Sequence, residues 1–149
     1  MMRYYLFLLW MWLCSVSAAE PLYQENYDSL IEIGNHAFVS EIADTPAKMQ
    51  QGMMYRPSMA DNQAMIFVYP RPQRMTFWMK NTLIPLDMLF FDPHGFLLEI
   101  KHKVPPCKTV MCPTYPSQHT NIRYVVELKG GIAKKLNLQL GDKLNGCGI

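Results

Sequence analysis

Apolar and polar residues alternate in short runs along most of this chain, the mark of half-buried β-strands. Residues 30–33 and 37–43 flank Gly34-Asn35, a two-residue hairpin signal. Thr45-Pro46 then opens a helix, with Thr45 as its cap and Pro46 at its first position, and Gly52 ends it. Residues 65–69 form a strand bounded by Pro70 and Pro72. Residues 74–80 alternate cleanly: Met75, Phe77 and Met79 share one face, Thr76, Trp78 and Lys80 the other.

Asp92-Pro93-His94-Gly95 reads as a type I turn with Gly95 left-handed, which implies a bulge in the hairpin it closes. With that bulge Phe90 faces Leu98, Met88 faces Ile100 and Leu86 faces His102, giving one apolar face. The other face pairs Phe91 with Leu97, Leu89 with Glu99 and Asp87 with Lys101. A long loop, residues 105–121, follows and carries four prolines with Cys107 and Cys112. Residues 123–129 form a strand, Gly130-Gly131 leads into a short helix at 132–137, and residues 138–144 close the domain around a Gly141-Asp142 turn. Many short strands with one or two short helices predict a mainly β (α+β) fold, a compact antiparallel β-barrel or sandwich.

The N-terminus breaks this pattern. Arg3, an apolar run over residues 4–14 and Ser17-Ala18-Ala19 have the order of a signal peptide, residues 1–19, cleaved after Ala19. The apolar run is too short to span a bilayer. Residues 20–29 read as an N-terminal arm and 30–149 as one globular domain. The expected product is a monomer, secreted or periplasmic in a bacterium, with no stable membrane insertion. Without Arg3 the chain keeps 14 − 1 = 13 basic and 12 acidic residues, net +1, and lacks a basic stripe with interleaved aromatics. Nucleic acid is therefore not an expected partner.

Several segments together resemble one family. These are residues 52–56 (Gly-Met-Met-Tyr-Arg), 65–67, 77–82, 84–87, 105–107 and 112–115. The chain resembles the domain-of-unknown-function 192 family, also named uncharacterised protein family 0127, over about residues 30–144. The resemblance implies the mainly β fold and no established activity. Met53 stands where the family usually shows Leu, which suggests packing rather than ligation there.

Four constellations carry candidate chemistry. In an oxidising compartment Cys107 and Cys112 bridge their four-residue gap as a disulfide. The alternative is a zinc site with His102 and His119, for which the thiols would have to escape oxidation. Nine Met residues follow position 19, and thioethers bind Cu(I). Met65, Met75, Met79 and Met88 fall on apolar strand faces, leaving Met49, Met53, Met54 and Met59 near the helix. No cofactor is expected. Third, Arg56, Lys80, Asn81 and Asp87, with Trp78 and Tyr115 as flat walls, form a candidate pocket for a sugar or another polar ring. Asp87 pairing with Lys101 or Lys80 is the structural alternative. Fourth, Asp87 with Glu99 suggests an acid–base pair, a weak signal in the absence of a nucleophile motif. The expectation is a non-catalytic domain that binds a small molecule or an envelope protein. Alternatives are a hydrolase or transferase with Asp87 as its charged centre, and a zinc or copper protein.

Overall fold

The computed structural model describes residues 27–146. The expected signal peptide, most of the N-terminal arm and Cys147 lie outside the described residues. Nine strands and two helices follow in order: β1 (Ser29–Ile33), β2 (His36–Ala43), α1 (Pro46–Gln51), β3 (Gln63–Gln73), β4 (Thr76–Trp78), β5 (Leu86–Phe91), β6 (Leu97–Val104), β7 (Thr114–Pro116), β8 (Ile122–Lys129), α2 (Ile132–Lys135) and β9 (Leu144–Gly146). The fold is mostly β, as expected. Seven strands form one sheet in the order β6-β5-β8-β3-β2-β1-β9, and β4 pairs with β7 in a separate ribbon.

The large sheet curls until its two edges touch. Leu144 N–H donates to the Gly95 carbonyl at 2.8 Å, and Leu97 N–H to the Asp142 carbonyl at 2.9 Å. Gly95 serves both the turn and this seam. Its φ is +78°, and a Cβ there would lie 2.9 Å from the Leu144 oxygen, so only glycine fits. Alternate residues of β3, β5 and β8 feed two cores. One core takes Ile31, Ile33 and Leu144 from one edge and Leu97 from the other, so it lies inside the curl. The second gathers Met65, Phe67, Met88, Phe90 and Val125 on the outer face. The β4–β7 ribbon covers this outer core, with Phe77 edge-on to Phe67 at 5.1 Å and to Phe90 at 6.0 Å.

The local expectations hold where local chemistry decides them. The β1–β2 hairpin turns on two residues, with Ile33 paired to His36. The Thr45 hydroxyl caps α1 by accepting from Lys48 N–H at 3.3 Å. Met75, Phe77 and Met79 are buried while Trp78 is 51% exposed. The Cys107–Cys112 disulfide is formed, with Cα atoms 5.9 Å apart.

Four expectations need correction. The sheet is not wholly antiparallel: β2 and β3 run parallel, because α1 sits in the connection between them. Strand β3 does not stop at Pro70 but runs through Pro72, past a shift in its pairing with β8 between Val68 and Gln73. An irregular, exposed strand end tolerates the missing donors. The 105–121 segment contains β7 rather than being all loop. The β5–β6 register matches the expectation only at Phe91–Leu97; thereafter Phe90 faces Glu99, Leu89 faces Ile100 and Met88 faces Lys101. Leu98 is accommodated as an extra residue, which offsets the pairing by one. All six residues of β5 are buried, so no polar face existed to select a register.

Candidate functional site

Asp87 lies in a second irregularity of the β5–β6 pairing, between Leu86 and Met88. It does not pair with Lys101, which instead binds Glu99. Asp87 is completely buried, and three backbone N–H groups surround its carboxylate. Oδ1 accepts from Lys103 at 2.7 Å, and Oδ2 from Gly131 at 2.9 Å and Ala133 at 2.8 Å. The chain is shaped to present them: Lys103 has φ +46° and Gly131 has φ +99°. Asp87 thus ties the β6 bulge to the start of α2, a structural task that accounts for both oxygens.

A groove forms instead where the exit of α1 meets the turn after β4. Asn81 adopts φ +56° and Tyr55 φ +64°. A left-handed Asn is common, a left-handed Tyr is not, and such backbone clusters at functional sites. The two residues hold each other: Tyr55 N–H donates to the Asn81 carbonyl at 2.8 Å, and Asn81 Nδ2 donates to the Tyr55 hydroxyl at 2.7 Å. The disulfide loop braces the turn from behind. Asn81 N–H donates to the Cys107 carbonyl at 3.1 Å, and Lys80 Nζ to the Thr109 carbonyl at 2.8 Å.

The groove has a volume of about 670 Å³ and is lined by Ala47, Gln50, Gln51, Met54, Tyr55, Trp78, Lys80 and Asn81. Tyr55 and Trp78 are 67% and 51% exposed, two large aromatic surfaces offered to solvent. Beneath it lies a pit of about 40 Å³ that shares Gln50, Gln51, Met54, Trp78 and Lys80 with the groove. The pit reaches Glu127 of β8 between Met53, Phe67 and Phe77. Glu127 is 4% exposed, and among the described residues its Oε2 has no hydrogen-bond partner. Burial pushes its carboxyl up to about 8, against the opposing pull of the Arg56 guanidinium. Burial, assisted by Glu127, likewise pushes the nearby Tyr69 phenol up to about 12.

Of the six residues expected to converge, Trp78, Lys80 and Asn81 do. Arg56 sits across α1, lining a separate cavity of about 290 Å³, where it forks onto Glu41 with Nη2–Oε2 at 2.6 Å. Tyr115 is opposite Phe77 in the ribbon, so it shares the covered face rather than the face of Trp78. Asp87 is in the interior. Sequence reasoning did not single out Tyr55, Gln50, Gln51 or Glu127. Tyr55 had a signal, an aromatic among the polar residues after a helix end. Glu127 had none, because with Arg123 it mimics the polar side of a half-exposed strand.

Among the described residues no cluster of three His, Cys, Asp or Glu side chains is placed to hold a metal ion. The disulfide occupies both thiols that a zinc site would need.

Fold and site together define a small curled β half-barrel with an aromatic-edged groove on its outer face. The sequence profile of the DUF192 family, described as Uncharacterized ACR, matches residues 29–146, and the chain belongs to that family. It is similar to a crystal structure of a candidate transcription regulator from Sinorhizobium meliloti 1021, with 32% identity and a TM-score of 0.75, over 81% of this chain and 95% of that one. A protein of unknown function from Novosphingobium aromaticivorans DSM 12444 is similar at 32% identity and a TM-score of 0.71, over 78% of this chain and 83% of that one. No curated protein matches the chain.

Proposed function

We propose that this chain is an exported, non-catalytic binding domain whose groove takes a small molecule with a polar ring, a saccharide being the chemistry that fits best. The carrying observation is the pair of exposed aromatic surfaces, Tyr55 and Trp78, beside Asn81, Gln50 and Gln51. Aromatic faces stack on the apolar faces of such rings, while side-chain amides bond to their hydroxyl groups; a mostly apolar site with few placed polar groups is how small ligands are held. Export draws support from the pattern of residues 1–19 and from the disulfide, a bond that persists in oxidising compartments. Asp87 makes a poor charged centre for hydrolysis or group transfer, since backbone donors already engage both of its oxygens.

Trp78 is the only tryptophan after residue 12, so processing at Ala19 leaves a single-tryptophan protein. Its emission then reports on the groove directly. Titration with glucose and N-acetylglucosamine is expected to shift Trp78 emission saturably, and Tyr55→Ala to abolish the shift. If emission and binding heat stay flat for both probes, the saccharide reading fails. A mass spectrum of the purified protein tests export: a chain beginning at Glu20 supports it, and one retaining residue 1 refutes it.

A further inference from the structure

We infer that Glu127 is the inner end of the ligand site, donating a hydrogen bond to a neutral carbonyl oxygen that the ligand sends into the pit beneath Trp78. This deepens the saccharide-binding reading and rests on it. The pit opens from the groove, since Gln50, Gln51, Met54, Trp78 and Lys80 line both. At about 40 Å³ it admits one small polar group, on the scale of a carbonyl oxygen or a water. Met53, Phe67 and Phe77 make its deep walls apolar, so Glu127 is the one acidic side chain there. Buried polar atoms are ordinarily hydrogen-bonded, and Oε2 of Glu127 has no partner among the described residues. Oε2 is itself closed to solvent, so a ligand oxygen meets the carboxyl where Glu127 lines the pit, and completes the site there.

Charge decides which ligand group enters. The Arg56 guanidinium acts on Glu127 from the segment after α1, and Lys80 lines the pit from the turn after β4. Glu41 of β2, opposite Met65, pairs with Arg56 and offsets its charge, so it is Lys80 that disfavours an ammonium ligand. Tyr69 of β3 stays a neutral phenol far above neutral pH, and the strand neighbours Met65 and Met88 bring no charge. Burial keeps the Glu127 carboxyl protonated to about pH 8, so at neutral pH it is a donor. Above that pH it ionises and becomes an acceptor only. Ligand affinity is therefore linked to this proton.

The test uses the exported protein with N-acetylglucosamine as probe, read by Trp78 emission from neutral to alkaline pH. Side-chain carboxyls carry a ¹³C label, and Glu127→Gln assigns the resonance of residue 127. The Glu127 resonance is expected to titrate near 8 and to move higher with probe bound. Affinity should fall about tenfold for each pH unit above that midpoint. Glu127→Gln keeps a donor that cannot ionise, so its binding should not depend on pH; Glu127→Leu should bind about tenfold more weakly at neutral pH. A Glu127 midpoint in the ordinary carboxylate range overturns the inference. So does equal binding by wild type and both variants at every pH, the result expected if water alone fills the pit; the groove reading survives that outcome. Affinity that rises with pH also overturns it and points to a probe hydroxyl donating to the ionised carboxylate. If N-acetylglucosamine binds at no pH, the groove reading fails and this inference fails with it.

Discussion

Asp87 and Glu127 are acidic residues buried on adjacent strands of one sheet, and the chain treats them in opposite ways. Asp87 pairs in register with Leu128, and Glu127 with Met88, so one residue step separates the two ladder positions. That step sends them to different surroundings. Asp87 meets the N–H groups of Lys103, Gly131 and Ala133, all within 2.9 Å. Glu127 meets methionine and phenylalanine side chains, and its Oε2 meets no donor. Burial alone therefore does not mark a functional carboxylate. A buried acid whose oxygens are all engaged by backbone is an architectural part, whereas one that lines a pit beneath an open groove with an oxygen left unpaired still has chemistry to offer.

The comparison breaks most sharply at Asp87. Asp87→Ala strands three N–H groups, that of Ala133 fully buried, and is expected to cost about 4 kcal/mol, measured by urea unfolding. If stability holds and only ligand binding falls, the architectural reading of Asp87 is wrong. Glu127→Gln is the opposite case. The folded wild type keeps a proton that the unfolded chain releases above about 4.5, so this group's stabilising contribution is complete below that pH and is lost as pH rises toward 8. The variant escapes the loss. Its stability relative to wild type should climb with pH across that window, by on the order of 5 kcal/mol, readable as a rising difference in melting temperature. Parallel stability curves would refute the raised carboxyl.

Replacing Cys107 and Cys112 together by Ser removes a short cross-link, expected to cost about 2 kcal/mol. Because the Cys107 carbonyl holds Asn81, the same change should also weaken probe binding; unaltered binding would detach the loop from the groove. Trp78→Ala is expected to shift stability least, within about 0.5 kcal/mol, since half of the side chain is already exposed. Its effect should appear in binding heat, the mirror image of Asp87→Ala.

The same contrast marks what could be read from the chain. Asp87 drew attention as a lone charge in an apolar run, yet its partners are backbone amides from residues 103, 131 and 133, which have no residue-type signature. Glu127 carries no signal because Tyr124, Val126 and Leu128 alternate with it, the pattern of a strand with a single core face. In fact β8 lies between β5 and β3, with core on both sides. Trp78 and Tyr115 were expected as facing walls, but Tyr115 pairs with Phe77 and so turns to the covered side. Trp78, Lys80 and Asn81 did converge, because one clean alternation and one tight turn orient them.

By itself the sequence determined the mainly β class, the β1–β2 hairpin, the cap of α1, the inward methionines of residues 75–79, the disulfide and the family. Each rests on chemistry within a few residues: turn geometry, capping, period-two patterning or a short cysteine spacing. Only the tertiary structure decided the register of β5 on β6, the curl that joins the sheet's edges, and the opposite roles of Asp87 and Glu127. The reason is physical. When a strand is buried on both faces its pattern no longer distinguishes inside from outside, and the partners of its polar atoms come from chain that is distant in sequence.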